Sequence, residues 1–218
     1  MTSRLQLRMT LRRHLSDTGT SPLWPEEFLN DAIAEAIRRY GVPIPRQAIA
    51  AVPVTAGDRE IDLPENVNAM RIVTVFDDSG TPWRRWEGGT APPPVPVGHL
   101  NGSSPTGTIW RAWGTAVILG SPAPRTGLWR LEHLANRVEP FDDISDLDIQ
   151  PGDDDLILTL AISVSLHRRA IAEGKRYTGR AGVHPLAAAA RTAQTDADRL
   201  FWHRLRHLRT GTLTNTLG

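Results

Sequence analysis

ILGSPAPRTGLWRLEHLANRVEPFDDISDLDIQPGDDDLILTLAISVSLHRRAIAEG, residues 118–174, holds the change of pattern that decides the fold. Its first part is β-type: strand candidates at 115–119 and 128–133 flank the turn cluster Ser121-Pro122-Ala123-Pro124-Arg125-Thr126-Gly127. An acidic loop follows. From Asp153 onward the period becomes helical. Leu156, Leu160, Val164, His167 and Ile171 recur on one face, and Ile157 and Ala161 widen it. Asp153 suits the cap, Asp154 and Asp155 oppose the dipole in the first turn, and the helix should stop near Gly174.

Upstream, β-type sequence extends back to about residue 48. Segments 50–54, 60–63, 70–76, 82–86 and 108–113 read as further strands, with a hairpin turn at Asp77-Asp78-Ser79-Gly80. The Pro-, Gly- and Ser-rich stretch 88–107 reads as a long loop and stiff crossover. Before the β region stand two helical patterns. In 3–15, Leu7, Leu11 and Leu15 form an apolar face beside Leu5 and Met9, with Arg4, Arg8 and Arg12 expected opposite. The second opens at Trp24-Pro25-Glu26-Glu27. It carries Phe28, Leu29, Ala32, Ile33, Ala36, Ile37 and Tyr40 as its buried stripe and ends at Gly41. After Gly174, a basic link over 175–182 leads to a fourth helix over 185–208, Ala-rich first and bulkier later.

The expected fold is therefore α+β. A four-helix bundle made from the N- and C-terminal helix pairs carries an inserted antiparallel β domain. The expected divisions are a helix pair at 1–46, the β-rich insert at 47–138, the acidic loop and second helix pair at 139–209, and a flexible tail at 210–218.

Composition narrows the function classes. The 218 residues contain no Cys, which removes disulfides, thiolate metal sites and a Cys nucleophile. Of 25 basic residues only Lys175 is Lys, so the Lys chemistry of phosphate loops and Schiff bases is nearly gone. The basic N-terminus has no apolar run of a signal peptide, and no stretch reaches the length of a membrane span. Net charge is +1 but is segregated. Residues 139–155 hold eight acids and no base, and 166–209 hold ten bases against three acids. Solvated loops and helix faces account for such runs; the sharper reading is charge-complementary contact between neighbouring subunits or with nucleic acid.

No phosphate-loop, dinucleotide, zinc-protease or nucleophile-elbow motif is present. Asp146-x-Asp148-x-Gln150-Pro151-Gly152 fails as a calcium loop, because Pro replaces the turn glycine and no Glu closes it. His203 and His207 share a helix face, but Arg204, Arg206 and Arg209 beside them disfavour a cation. No metal and no catalytic residue is assigned. Trp24 reads as a staple onto the second helix. Trp83, Trp86, Trp110, Trp113 and Trp129 read as packing aromatics of a thin β layer, with stacking on sugars or bases as the less favoured use. A carbohydrate enzyme would need a persuasive carboxylate pair there, and Glu87 and Glu132 are merely present.

Three stretches together resemble the head–tail adaptor, or connector, proteins of tailed bacteriophages. They are residues 11–41, with the Leu-x-Asp turn and Trp24; residues 56–82, with Ile61 where the family has an aromatic; and the strand–turn–strand–acidic loop–helix order of 118–174. The resemblance implies a structural virion protein of the head–tail junction, present in the host cytoplasm before assembly, with no active site and no cofactor. Its partners would be the portal protein, copies of itself in a ring, typically of twelve, and the tail or a further neck protein, with double-stranded DNA passing through. Carried over by position, His203, Arg204, Arg206, His207, Arg209, Leu213 and Leu217 would dock on the portal. Asp142, Asp143, Asp146 and Asp148 would line a subunit seam or the channel. The rival reading is a DNA-binding module whose fourth helix sets Arg199, His203, Arg204, Arg206, His207 and Arg209 on phosphate.

Overall fold

The computed structural model describes residues 2–20, 22–86, 108–174 and 185–214, with only the helical backbone given for 207–214. The chain divides into two compact units, one formed by 1–44 with 137–218 and the other by 45–136. The class is α+β, with four α-helices and one seven-stranded sheet among the described residues.

The first unit contains α1 (Arg4–His14), α2 (Glu26–Gly41), α3 (Asp154–Gly174) and α4 (Pro185–Thr214). Ser3 and Gln6 form a reciprocal capping box that starts α1. The turn from α1 to α2 is organised by Asp17, a buried carboxylate. It accepts the amides of Leu23 (2.6 Å) and Trp24 (3.3 Å) and pairs with Arg12 at 2.7 Å. Trp24 is buried and tilts against Phe28, as a staple should. Leu29, Ile33, Ile37 and Tyr40 of α2 are fully buried against Leu156, Ile157, Leu160 and Ala161 of α3.

α3 is the central element and packs on α1, α2 and α4. That position explains a departure from its expected single face. Leu158, Ser163, Ser165 and Ala170 are buried along with the Leu156–Leu160–Val164 line, because α3 is covered from several sides. His167 and Ile171, expected on the buried face, are exposed instead. A second departure lies in α1. Arg8, expected on the solvent side, is buried at 5% exposure and ion-paired, while Leu5 and Met9 face out. A third concerns α4, which continues to Thr214, so residues 210–214 are helical and not an aperiodic tail.

The second unit is built from β1 (Arg46–Val54), β2 (Glu60–Asp62), β3 (Ile72–Phe76), β4 (Pro82–Arg85), β5 (Ile109–Trp113), β6 (Ala116–Leu119) and β7 (Gly127–Ala135). The sheet order is β1-β7-β3-β4-β5-β6-β2. The expected strands are all present, but the sheet is not wholly antiparallel. β4 and β5 pair in parallel, Arg84 opposite Ile109 and Arg85 opposite Trp110. Parallel neighbours cannot be joined by a tight hairpin, so the chain between them must be long. The Pro-rich stretch expected as a crossover lies in that connection, outside the described residues.

Alternation in β7 puts Trp129, Leu131 and His133 inward and Leu128, Arg130 and Glu132 outward. Trp129 meets Trp83 at 4.8 Å between rings, and the Trp110 indole N–H donates to the Trp83 carbonyl at 3.0 Å. Three of the five β-region tryptophans are thus core. Trp86 is half-buried, and Trp113 stands outside at 65% exposure with Arg111 over its ring, so it does not belong to the packing set. Ile61, in place of the family aromatic, is buried in the same core.

Candidate interaction site

The acidic segment 139–148 is held against α1 by its own backbone. The amides of Arg4 and Leu5 donate to the carbonyls of Ser145 and Asp143, and Leu147 N donates to Thr2 O at 3.0 Å. Side chains complete the clasp. Asp143 accepts Arg8 through both oxygens, at 2.8 and 2.7 Å, and Arg4 at 2.9 Å. The Arg8 hydrogen bond, aided by Arg4, holds the Asp143 carboxyl below its usual range despite some desolvation. The same bond raises Arg8. Asp142 closes a turn by accepting Ser145 N and Oγ. Asp148 pairs with Arg137 at 3.0 Å and accepts Val138 N at 2.9 Å. Asp146 is exposed, with a backbone bridge to Ser3. The four aspartates proposed for a seam or channel therefore share one loop. Asp143 and Asp148 neutralise arginines of their own unit, while Asp146 faces solvent.

The C-terminal set divides likewise. Arg204 turns inward and pairs with Asp153 at 2.8 Å. Asp153 also accepts the Tyr40 hydroxyl at 2.7 Å, and Tyr40 in turn accepts Gln150 N at 3.0 Å. Burial, the first cause, with the Asp153 carboxylate beside it, pushes the Tyr40 phenol up to about 12. His203 and Arg206 are exposed on α4. His207, Arg209 and Leu213 lie in the helical stretch given as backbone only, and Leu217 and Glu87 lie outside the described residues. Sequence reasoning read Asp153 as a helix cap and missed its role in joining α2 to α4. The available signal was Tyr40 in the last turn of α2, a hydroxyl that needs a partner when buried. Among the described residues no group of three or more His, Asp or Glu could hold a metal ion, and no helix is long and apolar enough to cross a membrane.

Several large apolar side chains face outward from this unit. Phe141 and Ile144, on the pinned acidic loop, are 86% and 84% exposed. Trp202 on α4 is 63% exposed. Exposed apolar side chains of this kind are features of recognition surfaces. The sequence profile of the SU10 adaptor proteins matches residues 2–214, spanning both compact units. The chain belongs to this family of phage head–tail adaptors. No curated protein gave a match.

Proposed function

We propose that this protein forms a ring beneath the portal of a tailed phage, extends the DNA channel and offers the platform on which the tail or a further neck protein attaches. The family match over residues 2–214 carries this reading. The two helix pairs, closing as a four-helix bundle, would form the ring wall, and the C-terminal end of α4 with residues 215–218 would dock on the portal. Twelve copies would make the ring. The protein would reside at the head–tail junction of the virion and in the host cytoplasm before assembly. It would act without catalysis or cofactor.

The test is to mix the purified chain with portal rings of the same phage and measure the mass and symmetry of the complex. A discrete complex with one symmetric copy number supports the proposal, and failure to bind portal rings overturns it. Removing residues 207–218 should abolish binding while leaving the helical circular dichroism of the remainder.

In the DNA-binding alternative, one of the six residues, Arg204, is already paired with Asp153. Weak duplex binding that is unchanged in the R199A variant would retire it; steep salt dependence with loss in that variant would favour it.

A further inference from the structure

The outward features of the helical unit are chemically complementary to each other. The loop offers Phe141 and Ile144 beside the exposed acids Asp146 and Glu139, the latter paired with Arg38 at 3.0 Å. Leu5, whose amide is bonded to Asp143 O, and Met9 one turn along α1 extend the apolar surface. On α4, Arg191, Thr195, Arg199, Trp202 and Arg206 fall at steps of four, four, three and four, and all are exposed. They form one helical stripe, basic with an aromatic centre. Its opposite side, with Ala197, Phe201 and Leu205, faces the core. Arg199 keeps only a 3.7 Å pairing to Asp196, with most of its side chain in water.

We infer that the acidic–apolar loop of one copy docks on the basic–aromatic stripe of α4 in the next. This deepens the ring reading and rests on it. The occupant is a second copy of this chain, because the same unit carries both halves of a matched pair in charge and in apolar content. The contact joins unlike surfaces, so repeated use generates a closed ring when the rotation closes. Pre-organisation supports it. The loop is fixed by three backbone bonds to the N-terminal segment and by the Arg4–Asp143–Arg8 cluster, so Phe141 and Ile144 need little ordering on binding. Aromatic anchors flanked by Arg are the residue types that dominate interface energies.

The test uses the full-length chain with and without portal rings, comparing wild type, F141D/I144D and W202D by mass measurement. Each variant should associate with itself at least about tenfold more weakly than wild type and fail to complete a ring. Mixed together, the two variants should give a 1:1 heterodimer, since one intact loop can still meet one intact stripe. That heterodimer also shows that both variants are folded. Full rings built from either variant alone would overturn this interface while leaving the ring reading intact. Variants that keep copy-to-copy association but lose the portal would assign the patch to the portal and overturn it equally. A wild-type chain that stays monomeric even with portal rings would overturn the ring reading, and this interface with it.

Discussion

The hydroxyl of Tyr40, in the last turn of α2, donates a 2.7 Å hydrogen bond to Asp153, 113 residues further along the chain. Arg204 of α4 reaches the same carboxylate at 2.8 Å. One buried anion thus joins the end of α2, the start of α3 and the C-terminal half of α4.

The variant Y40F removes the donor and leaves Gln150 N without its acceptor, so it should lower stability by about 1–3 kcal/mol in urea unfolding. The pH dependence has a definite sign. The folded phenol is raised to about 12, so its contribution is full below its ordinary value near 10 and is lost as pH climbs through about 12. Melting temperature measured across that range should fall more steeply for wild type than for Y40F; parallel curves would refute the assignment.

Asp143 behaves oppositely. Its carboxyl is held low by Arg8, so the clasp is intact above the ordinary Asp value of about 3.9 and is lost as pH falls through the lower folded one. At neutral pH, D143N removes the negative charge and one of the two acceptor oxygens facing the buried Arg8, whose remaining carboxylate is Glu26 at 3.8 Å. Amide exchange in 139–146 should accelerate at least about tenfold relative to α3, as a local opening. Unchanged exchange would show that the backbone bonds alone fix the loop.

Trp110 and Trp129 are equally buried but differently satisfied. Trp110 donates to Trp83 O, whereas the Trp129 indole N–H has no protein acceptor. Both Phe substitutions lose packing, but W110F also removes a buried hydrogen bond. It should therefore cost about 1 kcal/mol more than W129F in denaturant unfolding. The reverse order would count against this hydrogen bond.

The β3–β4 turn rests on Asp77. Its carboxylate accepts Ser79 N at 3.0 Å, Thr81 N at 2.9 Å and the Trp83 indole at 3.4 Å. Burial pushes this carboxyl up, but the bonds from Ser79, Thr81 and Trp83 outweigh it and hold it low. Replacement by Ala should destabilise the sheet unit by about 1–2 kcal/mol at neutral pH. The difference from wild type should shrink as pH drops below about 4, a comparison open to thermal melts at matched ionic strength.

Much of this molecule was legible in one dimension. Short β-type runs between turn signals marked the strands, and period-3.6 runs marked the helices, because burying one face of a helix demands that spacing. Pro25 and the Asp77 turn punctuated the chain through backbone restrictions that are local, whereas Gly41 is helical and lies against Arg137 from far along the chain. What stayed hidden was non-local. Nothing near Arg8 indicates that a carboxylate from residue 143 will accompany it inward. The exposure of His167 and Ile171 depends on which helices cover α3, and the parallel β4–β5 pair depends on the path of a long connection. Leu5, Met9, Phe141 and Ile144 read as ordinary apolar residues until the fold leaves them uncovered.

The sequence by itself determined the order of elements, the absence of thiol and Lys chemistry, and the separation of acidic from basic segments. Tertiary structure alone decided which charges are neutralised within the chain and which remain for a partner. Asp143, Asp148 and Arg204 are paired internally, whereas Asp146 projects into water and Arg199 holds only a largely exposed 3.7 Å pair with Asp196. The physical reason is that an ion pair forms between groups brought within about 4 Å, and that distance is a property of the packed chain.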